Sequence, residues 1–299
     1  MRGPGDRHRR GDGRALQETH PRIFETIRQP LRILRVSVVK PVAWALTTIA
    51  ALAGIIVHGA LPGAGAAAAS RLTVAAAASL SLALDEIAAS YEEETGVKVV
   101  VSYGSTGMLA RQIIHGAPFD VFFAAHESYI EDLKEKGLVM EGTETTYAEG
   151  RLAMAVNRSA GAAVSTLADL ASARVRRIAL ANPSHAPYGR AARQALESAG
   201  VWETVREKVV YGENVRQVLR FVRTGDVPVG IVALSVARAE GVDTYPVDPS
   251  LHEPVRQAAA VLRRAADGAE AGRFLRYAAG PAGRAVFTRY GLAAPAGAR

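Results

Sequence analysis

From Arg71 onward the spacing of apolar residues switches repeatedly between two periods, and this alternation constrains the fold of the 299-residue chain more than any other property. Short apolar runs at Leu72–Ala76, Val97–Ser102, Asp120–Ala124, Leu152–Val156, Ile178–Ala181, Val209–Tyr211, Val229–Val232 and Ala258–Leu262 read as buried strands. Between them lie helical segments. Ser79 precedes one whose apolar residues Leu80, Leu84, Ile87, Ala88 and Tyr91 share a face, with Gly96 placed to end it. Others run through Met108–His115 to Gly116, Tyr129–Lys136 to Gly137, Gly189–Ala199 to Gly200, Val215–Val222, Ala269–Ala278 and Pro281–Tyr290. Repeated β-α-β order predicts an α/β protein with mainly parallel sheets covered on both faces. Residues 71–299 exceed the usual size of one lobe, so two are expected.

The first 70 residues read as an address. Pro41–Val57 holds no charged residue, Arg35 and Lys40 precede it, and the small-residue stretch Ala64–Ser70 follows. A basic flank, an apolar core and a small-residue site are the parts of a secretory signal, with cleavage expected within Ala66–Ser70. An uncleaved membrane tether is the alternative, because seventeen apolar residues reach the lower edge of a span. Met1–Arg35 is too long for an ordinary basic flank, and translation is expected to begin near Val36–Val39. The leader also explains the net charge of +7: residues 1–70 hold ten Lys/Arg against four acids, while 71–299 hold 26 against 25. A nearly neutral folded part argues against a nucleic-acid partner. There is no cysteine, which excludes disulfides, a thiol nucleophile, thiolate metal sites and a lipoprotein anchor.

In open α/β sheets ligands sit beyond the carboxyl ends of strands, where the next helix begins. Here those turns are rich in small hydroxyl residues: Ala77-Ala78-Ser79, then Gly104-Ser105-Thr106-Gly107. Free backbone N–H groups, a positive helix end and a hydroxyl can together hold an oxyanion without any Lys or Arg. Two readings stay open for each turn, since Ser79 and Ser105 or Thr106 can equally be helix caps. The turn Asn182–Gly189 carries two prolines and, next to Gly189, Tyr188, either a phenolic donor or a packing residue. His185 within it is a candidate base or a solvated loop histidine. Glu213-Asn214-Val215 is a fourth turn of this kind.

The run Leu72–Val139, then ALANPSHAPYGRAARQALESAGVWE from Ala179, ENVRQVLRFVRTGDVPVGIV from Glu213 and RFLRYAAGPAGRAVFTRYGL from Arg273, resembles the periplasmic molybdate-binding proteins of ABC transporters. The resemblance covers nearly all of 71–292 through several motifs in order. It implies a type II periplasmic binding protein: two α/β lobes joined by two crossover strands, with the ligand cleft between them. Lobe I would be 71–150 with 250–299, lobe II 151–249, after a 1–70 leader. It further implies that Ser79 and Thr106 bind the anion from the first lobe, with Tyr188 and Val215 from the second, Val215 through its backbone N–H. Ala78, Ser105 and Ala125 would be near neighbours. Some relatives of this kind carry a ligand tyrosine just after the Gly-Ile-Val strand, where this chain has Ala233; Tyr188 would supply the phenol instead. His126, where an Asp is common, is a further departure.

The function so implied is capture of molybdate, and of tungstate, for a membrane permease, by an exported, monomeric protein with no cofactor and no cation site. The chemistry agrees. A fully deprotonated tetrahedral dianion suits a site of donors alone, and a carboxylate would repel it; sulfate, with shorter bonds, would fit loosely. Another oxyanion such as sulfate, thiosulfate or phosphate is the alternative within binding proteins. Outside that class stand a hydrolase using Ser79 or Ser105 with His185 and Asp120, and the sensing domain of a regulator. No G-x-S-x-G elbow surrounds either serine, and no DNA-binding module is present.

Overall fold

The alternation of periods becomes a chain of ten strands and eight helices in the computed structural model, which describes residues 71–161, 163–239 and 241–295. The leader reading and its cleavage site lie outside these residues. The first part runs β1 (Arg71–Ala77), α1 (Ser81–Thr95), β2 (Lys98–Gly104), α2 (Thr106–Ile114), β3 (Val121–Ala124), α3 (Ser128–Glu135) and β4 (Thr145–Gly150). The second runs β5 (Leu152–Asn157), β6 (Ile178–Ala181), α4 (Pro187–Ser198), α5 (Trp202–Val205), β7 (Val209–Gly212), α6 (Val215–Thr224), β8 (Val229–Ala233) and β9 (Val242–Pro246). Then β10 (Val255–Val261), α7 (Gly268–Ala279) and α8 (Pro281–Arg289) complete the chain.

The strands form two five-stranded sheets, ordered β2-β1-β3-β10-β4 and β7-β6-β8-β5-β9. The sheets share one plan: β1 or β6 lies between two parallel neighbours, β2 and β3 or β7 and β8, followed by a reversed strand and then an edge strand. The expectation of mainly parallel sheets therefore needs correction at β10 and β5, each antiparallel to both neighbours. The reason is connectivity. Only Arg151 separates β4 from β5, and 247–254 link β9 to β10, so each reversed strand enters its sheet directly from the other. These two links are the crossovers of the two-lobe type II fold.

Burial follows the sequence pattern. β3, β5, β6 and β8 are buried at every position, as expected of central strands covered on both faces. Tyr91, Phe274, Phe123, Tyr147 and Phe287 continue the core of the first sheet as a series of ring contacts with centroids 5.0–6.1 Å apart. Gly96 and Gly200 close their helices with φ of 71° and 70°, a conformation that a residue with a Cβ adopts only at a cost. Among the described residues no helix is long and apolar enough to cross a membrane.

Candidate functional site

The carboxyl ends of β1 and β2 in one sheet and of β6 and β7 in the other converge on one small cavity of about 20 Å³. The turn after β1 brings Ala77, Ala78 and Ser79, and the turn after β2 brings Gly104, Ser105 and Thr106. From the second sheet, Ala186, Pro187 and Tyr188 follow β6, and Asn214 and Val215 follow β7. Ala125, just past β3, completes the wall. Ser79, Thr106, Tyr188 and Val215 thus meet, with Ala78, Ser105 and Ala125 beside them. Ala233 does not line the cavity; it is fully buried at the end of β8, opposite Leu152.

The local structure differs from simple capping. Ser79 does not start α1: it sits in a 3-10 turn over Ala78–Leu80, and the helix begins at Ser81. Its hydroxyl caps nothing and lies in a residue only 2% exposed, and no hydrogen bond of good geometry reaches it, although the Tyr188 hydroxyl stands beside it. A buried donor left unmade costs about 1–3 kcal/mol, so this oxygen is poised for an acceptor brought from outside. Thr106 opens α2, and its Oγ1 accepts the Ala125 N–H at 3.1 Å, which leaves its own proton to give. At α6 the Asn214 side-chain oxygen accepts the N–H groups of Arg216 and Gln217 at 3.0 and 3.1 Å, leaving the Val215 N–H to the cavity end of the helix. Tyr188 stands in the first turn of α4, after Pro187, and burial pushes its phenol well above the usual tyrosine range. The phenol is therefore neutral and keeps its proton to donate.

Among the described residues no Asp, Glu, Lys or Arg lines the cavity. Charge begins at its rim, where a groove of about 670 Å³ shares Ala78 and Asn214 with the cavity wall. That groove carries Arg216, Arg220, Arg223 and Arg238 against Asp85 and Glu213, a net positive mouth that favours approach of an anion. No group of three or more His, Asp or Glu among the described residues is placed to hold a metal cation.

Contacts between the lobes surround the cavity. The Ser105 hydroxyl donates to the His185 carbonyl at 2.7 Å, and the Gly107 N–H reaches the same oxygen at 2.9 Å. Ser105 Oγ also lies 2.7 Å from His185 Nδ1. Since its one proton serves the carbonyl, Nδ1 carries hydrogen and donates. His185 is then no base toward Ser105, and burial, followed by Arg111, holds its pKa below the usual value. Asp120 takes no part. Its carboxylate accepts from the N–H and hydroxyl of Thr73 and from the Ala266 N–H, so the hydrolase constellation does not assemble. His126 accepts the Ser128 N–H at 3.2 Å, at the start of α3, and is outside the cavity wall. Two residues near the cavity carry no signal in the sequence: Ser235, whose hydroxyl donates to the Ser79 carbonyl at 2.6 Å, and Gln257, whose amide donates to the Tyr188 hydroxyl at 2.7 Å. Neither lies in the turns that follow β1, β2, β6 or β7, which carry the other donors.

Known proteins share this architecture. Residues 72–293 match the family model of bacterial extracellular solute-binding proteins. The molybdate-binding protein of Azotobacter vinelandii is 36% identical over 230 residues, 76% of this chain and 91% of that protein. That of Rhodobacter capsulatus is 34% identical over 226 residues, 75% and 89% of the two chains. The solved periplasmic molybdate-binding protein of Azotobacter vinelandii superposes with a TM-score of 0.70 at 31% identity, covering 75% of this chain and 99% of that one. The chain therefore belongs to the bacterial extracellular solute-binding proteins, a family of binding proteins rather than enzymes, together with these molybdate-binding relatives.

Proposed function

We propose that this protein captures molybdate, and tungstate with it, for delivery to the membrane permease of an ABC transporter. The observation that carries the reading is the Ser79 hydroxyl, buried and without a well-formed hydrogen bond, on a cavity that no charged side chain among the described residues lines. Molybdate is a tetrahedral dianion with no proton at neutral pH, so donors alone satisfy it. Ser79, Thr106 and Tyr188 give hydroxyl protons and Val215 a backbone N–H, with Ala78, Ser105 and Ala125 packed around them. Each charge-assisted hydrogen bond contributes about 1.5–3 kcal/mol, so a handful offsets desolvation of the ion. Tyr188 supplies the phenol that Ala233 lacks. Uncharged donors held by backbone discriminate by size, which admits tungstate and leaves sulfate loosely held.

On this reading residues 1–70 are a secretory leader, cleaved or kept as a tether, and the protein works as a periplasmic monomer without a lipid anchor. Lobe I comprises 71–150 and 250–299, lobe II 151–249, and their closure on the anion forms the surface that a permease reads. Calorimetric titration of the purified protein with molybdate, tungstate, sulfate and phosphate tests the proposal. Tight binding of the first two with weak sulfate is expected, and Ser79→Ala and Thr106→Ala should each remove about 1–3 kcal/mol. Tight sulfate binding, or no binding of any of the four, overturns it.

A further inference from the structure

Three fully buried polar side chains form a hydrogen-bonded line that ends at the cavity: Tyr147, Gln257 and Tyr188, at 1%, 0% and 3% exposure. The Tyr147 hydroxyl donates to Gln257 Oε1 at 3.0 Å, and Gln257 Nε2 donates to the Tyr188 hydroxyl at 2.7 Å. Tyr147 lies on β4 just before the first crossover, and Gln257 on β10 just after the second. The β10–β4 register shifts between Gln257 and Ala258, an irregularity of the kind that re-aims a side chain. A buried amide is tolerated when both its ends are bonded, and here one end is held by lobe I while the other reaches a residue of lobe II.

The direction of this line matters. A phenol has one proton and two lone pairs. With a lone pair taken by the Gln257 N–H, the Tyr188 proton is directed to the side of the Ser79 and Ser235 hydroxyls, where an acceptor in the cavity can take it, and the incoming bond polarises it further. Were the amide reversed, Oε1 would take that proton, and a lone pair of Tyr188 would face the ligand. Such a site would repel a bare dianion and would accept a proton from a protonated oxyanion. The geometry points to Gln257, anchored by Tyr147, as the positioning residue that makes Tyr188 a donor only and so selects fully deprotonated oxyanions over protonated ones. This rests on the anion-capture reading and deepens it.

A double-mutant cycle in the full chain, read by calorimetry with molybdate and inorganic phosphate, tests it. Gln257→Met should weaken molybdate about tenfold, the equivalent of one lost hydrogen bond, and weaken phosphate less, so that selectivity falls. Tyr147→Phe removes only the anchor and should cost about threefold. Both losses should vanish in a Tyr188→Phe background, where there is no proton to direct; a merely structural role would leave them additive. If Gln257→Met does not fold, the Tyr147→Phe cycle decides alone. Unchanged affinity in both variants, or losses that persist without the Tyr188 hydroxyl, overturn the inference while the capture reading stands. A parent protein that binds no molybdate fails the capture reading itself, and this inference with it.

Discussion

The helices that follow β2 and β7, α2 and α6, begin at the same place in their sheets, yet the two starts use their capping residues differently. At α6, Asn214 turns its oxygen inward to the N–H groups of Arg216 and Gln217 and so stabilises its own helix. At α2, Ser105 occupies the equivalent position but makes no cap bond; its hydroxyl crosses to His185 of the other lobe. The next positions differ in the same sense. Gly107 lies so close to His185 that a Cβ would stand 2.9 Å from its carbonyl oxygen, whereas Arg216 is exposed at the rim. One helix start is finished locally, and the other is completed only when the lobes meet. On the proposed reading, in which the lobes close on an anion, this division supplies a stable donor array on one side and contacts that report closure on the other.

The sharpest way to break this comparison is Gly107→Val. Its side chain would meet backbone rather than a yielding side chain, and overpacking of this kind costs about 1–3 kcal/mol. Molybdate affinity should fall by up to about a hundredfold with little change in melting temperature, because the separated lobes feel no clash. Equal loss of stability would mean that the contact belongs to the fold and not to closure. Ser105→Ala should come next, weakening molybdate about tenfold while leaving the helix content by circular dichroism unchanged. Asn214→Ala should show the opposite signature, with about 1 kcal/mol lost from unfolding stability and only a few-fold loss in affinity.

The smallest effect concerns pH. In the lobe-to-lobe contact His185 is held below its ordinary pKa by burial and by Arg111, with Glu213 opposing. A group whose folded pKa is depressed contributes its full stability above the unfolded value, near 6.5, and loses it as pH falls through the folded value. Stability should therefore decline modestly between pH 7 and 5, and thermal melts of His185→Gln should show a flatter dependence. An identical slope in that variant would assign the decline to other groups, among them His126, which burial also lowers.

Much of this molecule is legible in the order of its residues. The strands β1, β3, β5, β6 and β8 and the turns at Ser79, Thr106, Tyr188 and Val215 stand out because central strands are uniformly apolar and strand-to-helix turns carry their own residue chemistry. The edge strands β4 (TTYAEG) and β9 (VDTYP) do not. Both mix polar with apolar residues and hold no apolar run, whereas β2 and β7, also at sheet ends, carry VVV and VVY and are legible. The four-residue α5 is too short for any period to register. Within the cavity the family resemblance supplies the lining residues Ser79, Thr106, Tyr188 and Val215, but not what each one's proton does.

By itself the sequence determined the periodic elements, the glycine helix ends and the four polar turns, all of which depend on residues within a few positions of one another. Tertiary structure decided the rest. Tyr188 meets Gln257 across 69 positions, Gln257 meets Tyr147 across 110, and Ser105 finds His185 across 80. It also left the Ser79 hydroxyl without a well-formed hydrogen bond, a property of everything packed around it. Hydrogen bonds act over about 3 Å, so which donors are spent and which remain free is settled only when the two sheets bring distant segments within that range.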